Sequence, residues 1–134
     1  MELEELKNLP EGIGRRDVER LCDIVLHDSE EESIQDVLEK FGILGDKQWH
    51  TYEMAGDDLR GKIEKWLNCH WDDSSQYFLR MALSIAFRFG LDKELYKMAL
   101  RSYTGELKDE YEKYLQNSAG DHIDPYWSLR STGK

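Results

Sequence analysis

The stretch from residue 77 to 89, YFLRMALSIAFRF, constrains the fold more than any other part of the chain. At helical spacing Tyr77, Phe78, Met81, Ala82, Ile85, Ala86 and Phe89 share one face, while Leu79, Leu83 and Phe87 cover another. A helix apolar over so much of its surface must be enclosed by neighbours on several sides. Arg80, Ser84 and Arg88 interrupt the run, which is far shorter than the ~20 residues of a membrane span. The expectation is a central core helix and no segment that crosses a bilayer.

The surrounding chain supplies partners for it. Val18, Leu21, Cys22, Val25 and Leu26 form one stripe of a helix from about residue 14 to 27. Ser29 and Glu32 have capping-box spacing, and Ile34, Val37, Leu38 and Phe41 form a second stripe that Gly42 and Ile43 would close. These two helices should lie antiparallel. From Asp46 onward, Trp49, Tyr52, Gly56, Leu59, Ile63, Trp66 and His70 recur at alternating spacings of three and four, as on the seam of one long helix. The competing reading breaks this helix near Gly56, with Asp57 or Asp58 as the cap of a second segment.

Asp72, Asp73 and Ser74 offer N-caps for the central helix, and Gly90 ends it. Asp92 caps a helix to about residue 103, with Leu91 and Tyr96 placed as a hydrophobic staple. Leu107, Tyr111, Tyr114 and Leu115 mark a last helix ending between residues 117 and 120. Residues 121 to 134, with Pro125, read as an irregular tail that Tyr126 and Trp127 would dock. No alternating strand pattern stands out, so the fold class is all-α, with six to seven short helices in a single acidic domain spanning residues 1 to 134. Short helices joined by tight turns, most plainly over residues 74 to 101, resemble the helix pairs of armadillo and HEAT solenoids. Both an irregular bundle and such a stack fit this pattern.

The formal charge of −10 sets limits on partners. Phosphates would be repelled, so nucleic acid is not expected. Residues 1 to 58 hold 17 Asp and Glu against 6 Lys and Arg, a net of −11, whereas the remainder holds 11 against 12. The excess is therefore confined to the N-terminal half, as in an acidic interaction surface or a solvated acidic face. The acidic opening MELEELKNLP differs from a secretory signal, and Cys22 and Cys69 lie far apart without a CxxC partner, so a cytoplasmic location is expected.

Catalytic chemistry finds little to stand on. Nucleophilic catalysis would need Cys22 or Cys69, or a serine, beside one of His27, His50, His70 or His122, and none of these sits in a recognisable motif. Cys22 lies on an apolar stripe and Cys69 diverges from its neighbour His70 by ~100° on a helix. Paired zinc ligands and repeated ExxH turns are missing. The nearest metal candidate is Glu53 with Asp57, one helical turn apart, a spacing that more simply gives a solvated face. The glycines never assemble a nucleotide loop, and GIGRR at residues 12 to 16 reads as an entry turn rather than an anion site. The expectation is a non-enzyme without a cofactor or metal.

The aromatic residues Trp49, Tyr52, Trp66 and Trp71 suit either a core or an interface. His50 and Trp71 fall off the main stripe, and Glu53, Asp57, Asp58, Asp72 and Asp73 would rim them. With Glu30, Glu31 and Glu32 they make the candidate surface for a basic protein partner. In size, acidity and absence of catalytic motifs the chain is similar to bacterial immunity proteins, which occlude cognate toxins, often nucleases with basic clefts. That resemblance implies a stoichiometric inhibitor. A helical adaptor or scaffold subunit with an exposed apolar patch is the alternative, and a small metal-dependent enzyme with converging carboxylates is the third.

Overall fold

A computed structural model of the chain describes residues 2 to 10, 12 to 51 and 53 to 126. Among the described residues there are α1 (Leu3–Lys7), α2 (Arg15–Asp28), a 3-10 turn (Ser29–Glu31), α3 (Ile34–Trp49), α4 (Asp57–Cys69), α5 (Gln76–Phe89), α6 (Lys93–Ser102) and α7 (Lys108–Asn117). Their one β-like feature is an isolated bridge between Asp92 and His122. The all-α expectation is met, and no described helix is long and apolar enough to cross a membrane.

α5 is the core helix its sequence implies: Leu79, Ala82, Leu83, Ile85, Ala86 and Phe89 are fully buried. Truncating any of the larger ones to alanine should cost about 2–5 kcal/mol through lost transfer energy and residual cavity. α3 lies against α5 and also packs on α1 and α2, so it acts as a hub. A solenoid would limit each helix pair to its neighbours, and the arrangement is instead an irregular bundle.

α3 and α5 run parallel. The Tyr77 hydroxyl, in the first turn of α5, donates at 3.2 Å to Glu39 Oε1 in the second turn of α3, and at their last turns Arg88 lies 3.5 Å from Asp46 and 4.9 Å over the Trp49 ring. This closeness explains why Gly42 does not stop α3, as its sequence suggested. The helix continues to Trp49 because its glycines face α5: a Cβ on Gly45 would stand 2.9 Å from Arg88 Cβ and 3.0 Å from Phe89. Glycine costs about 1 kcal/mol of helix propensity, which the contact it permits outweighs.

Several caps differ from expectation. Ser29 does not open α3, because the 3-10 turn continues α2 and the Ser29 hydroxyl donates back to Leu26 O at 2.7 Å. Ser33 caps α3 instead, accepting from Asp36 N at 3.1 Å. The long seam from residue 46 to 70 is broken between Trp49 and Asp57, so the competing reading holds. Its cap is Gly56 rather than Asp57 or Asp58, and the Gly56 N–H donates to Glu19 of α2 at 2.8 Å. Ser75, rather than Asp72, Asp73 or Ser74, caps α5 by accepting from Phe78 N at 3.0 Å. Gly90, in the left-handed region at φ 65°, and Asp92, accepting from Glu94 N at 2.7 Å, behave as expected.

The tail is strapped across the end where α3 and α5 finish. Ile123 N donates to Leu91 O at 2.9 Å, Trp49 Nε1 donates to Pro125 O at 3.1 Å, and the Tyr126 hydroxyl donates to Trp49 O at 3.1 Å. Tyr126 docks as expected. Tyr52 and Trp127, assigned to the seam and the tail, lie outside the described residues.

A candidate acidic interface

α2 and α4 run side by side in the same direction, with Glu19 holding Gly56 near their starts and Lys62 3.4 Å from Asp23 further along. At 14 residues, α2 is about 21 Å long. The candidate residues therefore separate into two groups. Glu30, Glu31 and Glu32 follow the end of α2, and Trp71, Asp72 and Asp73 follow the end of α4. His50, Glu53, Asp57 and Asp58 lie at the opposite end, where α2 and α4 begin and α3 stops.

At that opposite end the charges are locally matched. Asp57 pairs with Arg60, and Asp58 with Lys62 at 3.3 Å. Hydrogen bonds from Lys62 to Asp58 and Asp23 push the ammonium pKa above its ordinary value. His50 Nε2 lies 3.9 Å from Asp46 and the ring meets Trp49 edge-on. Glu53 engages Thr51 and Gln48 through its backbone and leaves its side chain exposed.

The first end differs. Between Asp28 and Glu39 there are six carboxylates and no cation, and the next residue, Lys40, is turned inward. Lys40 Nζ donates to both oxygens of Glu32, at 2.6 and 2.5 Å, with side-chain exposures of only 7% and 20%. Glu32 is thus engaged internally, while Glu30, Glu31 and Asp36 face solvent. Lys47, the other α3 lysine of this half, is also buried, donating to Leu9 O at 2.8 Å. Withdrawal of both lysines leaves the exposed surface of α3 more acidic than its composition suggests.

In the midst of these carboxylates Ile34 is 45% exposed, one of only two large apolar side chains so placed among the described residues. Its stripe mates Val37, Leu38 and Phe41 are fully buried, so the sequence correctly identified the face but not where the core ends. Tyr77 closes this region from the α5 side. Burial, then Glu39, raise its phenol pKa, and Asp36 adds to the shift. Trp71 is half-buried, edge-on to Phe78, with its indole N–H donated to Asp73. Asp72 closes the α4 to α5 turn by accepting from Ser74 N at 3.0 Å.

Among the described residues no group of three or more His, Cys, Asp or Glu side chains could hold a metal ion. Cys22 is buried and Cys69 exposed, both as free thiols. Comparison of the chain with protein-family models, curated proteins and solved structures gave no match.

Proposed function

We propose that the chain is a stoichiometric protein-binding inhibitor of the kind represented by bacterial immunity proteins, which neutralises a basic toxin domain by covering its cationic cleft. The observation that carries this reading is an exposed apolar side chain, Ile34, set among the outward carboxylates Glu30, Glu31 and Asp36, with Lys40 turned away beneath them. An apolar anchor inside a charged rim is the composition of a specific interface. A one-signed rim speeds encounter with a cationic cleft by roughly 10- to 1,000-fold. Trp71 with Asp72 and Asp73, beyond the neighbouring helix end, extends the rim.

The test is association with the protein encoded beside this chain. Glu30→Lys with Glu31→Lys should lower the association rate at least tenfold at low salt and flatten its salt dependence, while Ile34→Asp should accelerate dissociation. Unchanged rates in both variants, or a neighbouring product that does not bind, would reject the reading.

A further inference from the structure

The described residues carry their second large exposed apolar side chain on another part of the surface, and its surroundings have a different character. Leu107 is 63% exposed and precedes α7 with φ 65°, a left-handed conformation that leucine rarely adopts. It lines two adjoining cavities of about 400 and 440 Å³, both of which also contain Tyr111. Together they form a groove between α5 and α7, because α7 packs mainly on α6 and stands off from α5. The Phe87 and Tyr114 rings, 4.1 Å apart, close it toward the far end.

The α5 wall supplies the cations. Arg80 is exposed and lies 5.7 Å over the Tyr77 ring, and among the described residues no carboxylate pairs with it. Arg88 follows two turns later and is shared between Asp46 and the Trp49 and Phe87 rings. Burial, then Tyr103, raise the Tyr111 phenol pKa, and both Arg80 and Arg88 oppose that rise, so the two guanidinium groups act on the groove floor. Glu106 and Glu110 stand on the α7 side, which gives the groove a charge polarity across its width. From Gln76 to Arg88 it follows about 18 Å of helix, room for five extended residues or three helical turns.

We infer that this groove is a second interaction surface, one that takes an amphipathic segment of a partner protein, its apolar side chains against Leu107 and Tyr111 and its carboxylates toward Arg80. Length and an apolar wall favour a peptide segment over a small anion, which would occupy the Arg80 cavity alone. The strained Leu107 keeps an apolar side chain in solvent at the junction of the two cavities, as is common at ligand clamps. The site meets the acidic end at Tyr77 but shares none of its exposed carboxylates, and it survives if that surface proves to bind nothing.

Panning a phage-displayed library of random twelve-residue peptides on the full chain tests it. Enriched peptides should combine Asp or Glu with Leu, Phe or Trp, and a fluorescein-labelled synthetic copy should lose roughly tenfold affinity with Arg80→Glu and with Leu107→Asn. Asparagine tolerates the left-handed backbone, so that variant keeps its fold. Glu30→Lys with Glu31→Lys should leave peptide affinity unchanged. Enrichment of basic peptides, no enrichment, affinity indifferent to Arg80→Glu or lost with the Glu30 and Glu31 variant, or displacement by benzoate as effective as by unlabelled peptide would each overturn it.

Discussion

Lys40 and Glu32 form an ion pair across the first turns of α3, with the ammonium beneath the surface and both carboxylate oxygens within 2.6 Å of it. Removing one partner strands a buried charge, so Glu32→Ala should destabilise by about 3 kcal/mol. Replacing both, as Lys40→Met with Glu32→Leu, should return stability to within about 1 kcal/mol of the parent. Urea unfolding of the two variants measures this, and equal losses in both would contradict it.

Gly45 faces the closest approach of α3 to α5. Gly45→Ala raises helix propensity by about 1 kcal/mol, but its methyl group meets Arg88 Cβ and Phe89. The net outcome should be a loss of about 1–2 kcal/mol, with local shifts in the Phe89 and Trp49 NMR signals. Gly61→Ala, where an added Cβ meets nothing within 4 Å, should stabilise the protein by about 1 kcal/mol and serves as the control.

Alkaline conditions should weaken the fold. Burial holds the Cys22 thiol far above its ordinary 9.0, with Asp23 and Glu19 adding to the effect, and burial likewise raises the Tyr96 phenol from 10.0. The unfolded chain releases these protons as pH passes those ordinary values, whereas the folded chain retains them. The contribution of these two groups is therefore level below about pH 9 and declines above it, by at most about 1.4 kcal/mol per pH unit for each group. Denaturant midpoints at increasing pH follow the decline, and Cys22→Ala should flatten its first part. At neutral pH a thiol reagent should titrate Cys69 in the native protein and Cys22 only after unfolding.

Leu107 holds a left-handed backbone and leaves its side chain mostly in solvent. Leu107→Gly should therefore raise stability by about 1 kcal/mol, through relief of strain that exceeds the small burial lost. Calorimetry reads this as a rise in Tm, and a fall would show that the side chain packs more than its exposure implies.

Much of the fold could be read from local chemistry. The burial of α5 follows from residues 77 to 89 alone, and the Gly90 stop and Asp92 cap need only their own backbone geometry. Misreadings arose where a distant residue decides. Gly42 looks like a breaker until Met81 occupies the space beside it, and Gly56 becomes a helix start through Glu19, 37 positions away. The acidic end was legible as composition. Its shape was not, because nothing in the order of residues shows Lys40 turned inward or Ile34 left outside.

The reciprocal bonding of Trp49 with Pro125 and Tyr126 joins positions 76 and 77 apart in the chain. During synthesis Trp49 emerges with neither partner yet made. At about 5–20 residues per second, the ribosome takes about 4–15 s to supply them. Through that interval the end of α3 and the Gly90 turn that closes α5 await their strap, so the nascent chain is most vulnerable to proteases and to aggregation just before residues 125 and 126 emerge.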